Sequence, residues 1–410
     1  MLIHVCYSLY DVSGKYSKFL GMSIQSLLDN TDETVTIHVL HDSTLTKDNR
    51  NKLTKIAYSH EQEIIFYNVD ILVPKEKQKI FDGVPYLKSR FSVACFYRAM
   101  IPNILSTTID KAIYLDADTI INFDIKEFWG IDLQKFPIAA IPESKSGHTQ
   151  ESMSSVNLLI KDGVFIWNDY FNSGVLMMNL DQLRISTEDG NLLDRCLAFF
   201  EKYPNATDCP DQNALNFVFK ENYLKLPVKF NRLVFLNRKF RKSQKVGREI
   251  IHYAAHAFGI DFKDEFNQLW FEYYSRTPFF SPEKVVDLLA SSQRFELQKG
   301  NLWKKIVNLD VTRQRGFFIY PKDSDRIIQF IGKNDEDIGL NAEIPNAMEN
   351  LISTMEKYRG KYMFFINLAE DKFSDVRGIL KEHGFEEHTD FFNVRELNSN
   401  DNGYRFIQEM

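Results

Sequence analysis

Along the first part of the chain, short dense apolar runs alternate with stretches of helical spacing. Residues 2–9 (LIHVCYSL) form the first run and predict a strand. Residues 17–29 place Phe19, Leu20, Ile24, Leu27 and Leu28 on one side, the spacing of an amphipathic helix. VTIHVLHD (35–42) predicts a second strand, residues 47–60 a helix, and EIIFYNVD (63–70) a third strand. Residues 91–105 have helical spacing up to Pro102, where the missing N–H interrupts the ladder. Further strands are expected over 112–116 and 119–121. Strands alternating with helices define an α/β layer with a mostly parallel sheet. Such sheets bind ligands beyond the carboxyl ends of their strands.

The texture changes after about residue 285, where EKVVDLLASSQRFELQKGNLWKKIV reads as a charged helical connector. A helix is then expected near 344–358, a strand at KYMFFINL (361–368) and another helix over 373–382. The spacing predicts a first α/β domain over 1–282, a helical connector over 283–310 and a smaller C-terminal α/β domain over 311–410. The last is Rossmann-like in pattern but lacks a G-x-G-x-x-G loop, since IYPKDSD (319–325) stands where it would be. No short-period repeat or low-complexity segment is present.

Composition narrows the class. With 410 residues, 44% hydrophobic and 14% aromatic, the chain is long enough for two domains with substantial cores. A net charge of −6 argues against a general nucleic-acid binder. The basic run RKFRKSQK (238–245) reads as a solvated face, with an acceptor or membrane-surface contact as the alternative. Cys6, Cys95, Cys196 and Cys209 contain no C-x-x-C pair and read as free thiols of a reducing compartment. The start of the chain lacks a basic head, and Asp11 breaks its apolar run, so it does not read as a signal peptide. No stretch reaches the ~18 apolar residues that span a bilayer. A cytoplasmic location without a transmembrane segment is therefore expected, and the sequon at Asn205 carries little weight.

Four segments carry candidate chemistry. In KAIYLDADTII (111–121), Asp116 and Asp118 follow a predicted strand and precede another. Two carboxylates at i and i+2 can reach one cation, and oxygen ligands suit Mg²⁺ or Mn²⁺. Two other D-x-D strings, at Asp323/Asp325 and Asp335/Asp337, have polar or charged neighbours and read as solvated turns. In YFNSGVLMMN (170–179), Asn172, Ser173 and Gly174 read as a polar step into a buried strand. Glycine there would permit close backbone approach, and Asn172 is able to hydrogen-bond a sugar hydroxyl. A plain turn before a core strand is the alternative. In CPDQNALN (209–216), Asp211 follows Pro210 at a helix start and could simply serve the helix end, whereas Gln212 has no structural reason evident in the sequence. In IIHYAAHAF (250–258), His252 on an apolar strand is a core histidine unless the pair of aspartates needs a third ligand.

In this order the segments resemble family 8 glycosyltransferases, the glycogenin and bacterial lipopolysaccharide galactosyltransferase group. The resemblance covers roughly residues 1–280 and rests on F-Y-R-A, Y-L-D-A-D, F-N-S-G-V-L-M-M-N-L, P-D-Q-N-A-L-N and I-I-H-Y. The segment YSLYDVSGKYSKFLGMSIQSLLDN and the extra C-terminal domain are similar in style to streptococcal accessory transferases that extend O-glycans of serine-rich repeat adhesins.

The resemblance implies a GT-A fold for residues 1–282, a UDP-glucose or UDP-galactose donor, Mn²⁺ (or Mg²⁺), and retention of anomeric configuration. It implies that Asp116, Asp118 and His252 bind the metal, with Ala117 between the acids beside the donor. Uridine would lie near Cys6, Tyr7, Ser8, Asp11 and Tyr16. Arg98 would face the donor sugar and diphosphate, and Asn172, Ser173, Asp211 and Gln212 would surround the transferred hexose. The catalytic set expected is therefore Gln212, Asp211, Asn172 and Arg98. The acceptor would be a sugar hydroxyl of a growing glycan on a glycoprotein, with partner glycosyltransferases acting on the same glycan. A lipopolysaccharide or other cell-surface polysaccharide is the alternative acceptor.

Two departures from the family pattern stand out. Relatives often carry aspartate after the glutamine, where this chain has Asn213, and glutamine itself is a poor nucleophile. Same-face attack, with a UDP phosphate oxygen taking the acceptor proton, is thus expected over double displacement. Relatives also follow the histidine with G-x-x-K-P-W, where this chain has Ala255, Phe258, Gly259 and Ile260; Lys263 is the candidate substitute for the missing lysine. That loss leaves open a non-catalytic scaffold or chaperone of a glycosylation complex. A sugar nucleotidyltransferase ranks last, since only Gly14-Lys15 stands where a basic glycine-rich loop is needed.

Overall fold

A computed structural model describes residues 1–72, 93–145, 154–188, 190–203, 209–234, 245–254, 264–283, 318–319, 347–357, 359, 364–366, 370–387 and 390–393. Its compact units divide at Ser281/Pro282. The connector beyond Glu283, the two later D-x-D strings, residues 238–244 of the basic run, the sequon, Lys263 and most of the 319–325 segment lie outside the described residues.

The first unit is built on a seven-stranded sheet. Its strands are β1 (Leu2–Leu9), β2 (Thr34–His41), β3 (Glu63–Asn68), β4 (Lys111–Leu115), β6 (Ile138–Pro142), β7 (Phe171–Asn179) and β8 (Leu224–Lys225), in the order β3-β2-β1-β4-β7-β6-β8. β1 pairs in parallel with β2 and β4, and β2 with β3, whereas β7 runs antiparallel to both β4 and β6. A smaller sheet, β5-β10-β9, comprises β5 (Thr119–Ile121), β9 (Arg232–Leu233) and β10 (Ile250–His252).

The local expectations hold with informative exceptions. The helix Ser17–Asp29 forms as its spacing predicts, but Ser17 through Leu28 are buried all round. The sheet covers one side, and the helices Lys47–Ser59 and Glu265–Ser275 cover others. Its polar residues are satisfied inside: Ser26 donates to Ser23 O and receives the Ile121 N–H, and Ser23 Oγ lies 3.0 Å from Thr119 Oγ1. Gly21 is required on this helix because a methyl group there would meet Phe279 Cε2 at 2.7 Å.

The third strand stops at Asn68, and Val69–Leu72 turn helical. The 91–105 segment is a 3₁₀ turn, Val93–Phe96, followed by the helix Tyr97–Ile104, which continues through Pro102 instead of ending there. Arg184 finishes that helix from outside, donating to the carbonyls of Pro102, Ser106 and Ile109. Charge at a helix C-terminus and hydrogen bonds to its last carbonyls both favour the extension.

In the second unit, β11 (Phe318–Ile319), β12 (Phe364–Ile366) and β13 (Phe391–Asn393) pair in parallel. Helices Ala347–Lys357 and Glu370–Glu382 alternate with them, an α/β pattern. Met355, Phe364, Ile366, Phe373, Leu380, Phe385 and Phe391 form its core.

Candidate functional site

The antiparallel placement of β7 creates the site. Leu115, the last residue of β4, pairs with Val175, so the chain leaving β4 meets the chain entering β7. Asp116 donates its N–H to Gly174 O at 2.7 Å. Thr119 then closes a turn, its N–H and hydroxyl both donating to Asp116 O at 3.3 and 2.8 Å. The chain passes directly into β5, which pairs antiparallel with β10 so that His252 lies opposite Thr119. Tyr253 N–H donates to Asp118 O at 2.9 Å and fixes that register. Two sheets thereby deliver three candidate ligands to one point.

His252 Nε2 lies 3.3 Å from Asp118 Oδ1 and 3.8 Å from Asp116 Oδ2. One donor atom of each of the three residues falls within 4.8 Å of the others. Ligands about 2.1 Å from a shared octahedral cation lie about 3 Å apart, so the set fits a divalent ion. Two carboxylates and an imidazole also suit Mn²⁺ chemically. Gly174 is the floor of this cradle: a methyl group there would lie 2.4 Å from His252 Cε1 and 2.6 Å from Asp116 Oδ2. Burial lowers the imidazole pKa, but the carboxylates of Asp118 and Asp116 outweigh it and the net shift is upward.

Arg98 is buried at the centre of the surrounding network. Nε donates to Cys95 O, Nη1 to Ser173 O and Oγ, and Nη2 to Asp116 Oδ1, while Asp211 Oδ2 lies 3.2 Å from Nη2. These five contacts match the five N–H donors of a guanidinium. Its Cζ also lies 4.5 Å from the ring centroid of Tyr114, whose hydroxyl donates to Asp116 Oδ1 at 2.7 Å. Arg98 therefore orients Asp116 and Asp211 here, with its fork committed to protein acceptors. Burial raises the Asp211 pKa and Arg98 only partly opposes it.

Asn172, Ser173 and Gly174 lie within β7 and are not a turn before it. Asn172 Oδ1 accepts from the Gly174 N–H at 3.0 Å and from Asn231 Nδ2 at 2.8 Å. The helix Pro210–Phe219 docks on the start of the same strand, launched by Cys209 in a left-handed conformation (φ 48°) that non-glycine residues rarely adopt. Cys209, not Asp211, is the cap position. The Asp211 carboxylate faces Arg98 and accepts from Ser173 Oγ at 3.1 Å. Gln212 does have a structural role, since its Oε1 accepts the Ser173 N–H at 3.1 Å. Its Nε2 lies buried near Tyr170 without a well-formed hydrogen bond. Asn213 is fully buried, accepting from Tyr170 OH at 2.7 Å.

The residues expected around uridine divide. Cys6 and Tyr7 are fully buried, with Tyr7 OH accepting from Ser23. The Asp11 carboxylate points inward, accepting from Tyr16 N–H, Ser17 Oγ and Asn49 Nδ2, and so organises the loop after β1. Ser8 and Tyr16 are half-buried, and Ala117 is buried between the two acids.

Three participants are not among the residues expected from the sequence. Tyr114, two residues before Asp116 and so on the same face of the strand, was accessible through period-two alternation. Asn216 clamps β7, exchanging hydrogen bonds with both the N–H and the carbonyl of Phe171 at 2.8 Å. Asn231, whose Oδ1 lies 3.0 Å from His252 Nδ1, carries no local signal at all.

A mixed sheet in the order β3-β2-β1-β4-β7-β6-β8, with paired aspartates after β4, is the architecture of GT-A nucleotide-sugar transferases. Residues 8–257 match glycosyl transferase family 8, and the chain belongs to that family. It is 25% identical over 225 residues to a protein of Haemophilus influenzae assigned as a glycosyltransferase, covering 55% of this chain and 59% of that one. It is 23% identical over 237 residues to the lipopolysaccharide 1,2-glucosyltransferase of Escherichia coli, covering 57% of this chain and 63% of the relative. The chain thus spans about three fifths of the length of both relatives. Its fold is similar to that of the galactosyltransferase LgtC in complex with donor and acceptor sugar analogues. The TM-score is 0.53 at 19% identity, with 68% of this chain and 98% of that one covered. Among the described residues, no helix is long and apolar enough to cross a membrane.

Proposed function

We propose that this chain is a retaining hexosyltransferase that moves glucose or galactose from a UDP-sugar to a sugar hydroxyl of a growing glycan. The observation that carries the reading is the convergence of Asp116, Asp118 and His252 beside Gly174 at the carboxyl end of β4. Asp116, Asp118 and His252 would hold Mn²⁺ there, which would supply a Lewis acid for the negative charge of the departing diphosphate.

The protein's own groups hold and orient. Arg98 and Tyr114 lock Asp116, and Arg98 and Ser173 lock Asp211. With its Oε1 on Ser173, Gln212 is left with its Nε2 as a donor, and Asn172, with Oδ1 spent on Gly174 and Asn231, likewise offers Nδ2. Asn172 Nδ2 can therefore donate to a hexose hydroxyl, whereas Gln212 Nε2 is enclosed beside Tyr170 and the Gln212 side chain serves to hold Ser173. No carboxylate occupies position 213, and the Asn213 amide is enclosed with Tyr170, which favours same-face attack. In that route the acceptor oxygen bonds to the anomeric carbon as the carbon–phosphate-oxygen bond breaks. The acceptor proton passes to a phosphate oxygen of the leaving UDP. The acceptor assigned on sequence style is a protein O-glycan, and the cytoplasm is the expected compartment.

UDP release tests this directly. UDP-glucose or UDP-galactose should give Mn²⁺-dependent release with a glycopeptide acceptor, abolished in Asp118→Ala while the thermal melt persists. Release only with a lipopolysaccharide acceptor would move the acceptor class. Neither release, hydrolysis nor UDP binding would leave the scaffold reading in its place.

A further inference from the structure

We infer that Asn231 is a positioning residue that sets the tautomer and ring plane of His252. The inference follows from a chain of hydrogen bonds whose direction is forced at one end. The backbone N–H of Gly174 can only donate, so the Asn172 side-chain atom 3.0 Å from it is the carbonyl oxygen. That same oxygen lies 2.8 Å from Asn231, so the Asn231 atom facing it is the amide nitrogen. The carbonyl oxygen of Asn231 is then the atom 3.0 Å from His252 Nδ1, and an acceptor there requires a proton on Nδ1. A neutral imidazole carries one N–H, so its lone pair is on Nε2, the atom that faces Asp118 and Asp116.

Burial makes the chain obligatory. Asn231 is fully buried, and Asn172 and His252 are each at least 92% enclosed. A reversed amide would set carbonyl against carbonyl or leave a buried donor unmet, at the cost of a lost hydrogen bond or more. The backbone of β7 thus dictates which nitrogen of a histidine some 80 residues later is free. Asn231 sits just before β9, the parallel neighbour of β10, which brings it beside His252. The geometry stands without any ion, while its consequence for metal affinity rests on the metal reading proposed above.

The test separates the two. In the full-length protein labelled with ¹⁵N at histidine, the His252 signals are assigned by their loss in His252→Asn. Long-range ¹H–¹⁵N correlation is then recorded at a pH where the ring is neutral, and Mn²⁺ affinity is measured by electron paramagnetic resonance. The wild type should show an Nδ1–H tautomer. Asn231→Leu, checked for folding by its melt, should lose the pure tautomer and weaken Mn²⁺ binding 10- to 100-fold. Asn231→Asp retains an acceptor toward Nδ1 and should keep both the tautomer and most of the affinity, whatever stability it loses against Asn172. An Nε2–H tautomer in the wild type, or unchanged Mn²⁺ affinity in folded Asn231→Leu, overturns the inference. An Nδ1–H tautomer in a wild type that binds no Mn²⁺ sustains the positioning role and sinks the metal reading instead.

Discussion

Gly174 and His252 approach so closely that a single methyl group on the glycine would lie 2.4 Å from the imidazole Cε1. The same methyl group would lie 2.6 Å from Asp116 Oδ2. Relief requires the ring and the carboxylate to move apart, which separates two of the three candidate ligands. Gly174→Ala should therefore fold with about 1–3 kcal/mol less stability, as overpacking does. Its Mn²⁺ affinity should fall at least tenfold, measured by titration against the wild type. Unchanged affinity would place the cation elsewhere.

Arg98 holds two buried or half-buried carboxylates, Asp116 and Asp211. Removing it strands both charges beside the buried guanidinium's former site. Arg98→Met is expected to cost about 3–5 kcal/mol in chemical denaturation, the range for breaking a buried pair from one side. Restoring neutrality with Asp211→Asn in the same chain should recover part of that loss. A cost under about 1 kcal/mol would show the network to be dispensable.

His38 predicts a pH dependence that has nothing to do with the site. It lies on the central strands, 3.0 Å from His4 on one side and from Tyr67 OH on the other. Burial, followed by the charge of His4, lowers its pKa to about 4. His4 is itself lowered by burial, against the pull of Asp110 and Glu63. With the folded pKa below the unfolded one, the unfolded chain takes up the proton first, so stability is complete above about pH 6.5 and falls as pH drops toward 4. Denaturant titrations at pH 7 and pH 5 should differ by about 2 kcal/mol through His38 alone. That difference should shrink in His38→Gln.

Asn216 joins the helix Pro210–Phe219 to both backbone polar groups of Phe171. Asn216→Leu would leave a buried N–H and a buried carbonyl unmet, at about 3 kcal/mol for the two. The same helix carries Asp211 and Gln212, so UDP-sugar turnover should fall as well, read as a drop in kcat/KM alongside the lower melting temperature.

Much of this molecule was legible from its residues. Apolar runs and helical spacing located β1, β2, β4 and the helices over 17–29 and 47–59 to within a residue or two. The pairing of Asp116 with Asp118 was legible because a buried strand ends there, and both flanks are apolar. Pro102 misled because the helix continues past it to Ile104, and Arg184, some eighty residues on, takes up the Pro102 carbonyl near the helix end. Gln212 looked free of structural duty because its partner, the Ser173 N–H, belongs to a strand that the helix meets only in the folded protein.

The sequence by itself determined the elements, the carboxylate pair and the candidates for the third ligand, since periodicity and local chemistry are properties of neighbours along the chain. Only the tertiary structure decided that β7 runs antiparallel beside β4, which brings Gly174 under Asp116. It alone decided that β10 pairs with β5, which turns His252 from a core histidine into a neighbour of both aspartates. The orientation of that histidine depends on Asn231 and Asn172, whose joint role has no mark in the sequence. Their roles come from hydrogen bonds in a space closed to water, where each buried donor must find its acceptor wherever the chain has placed it.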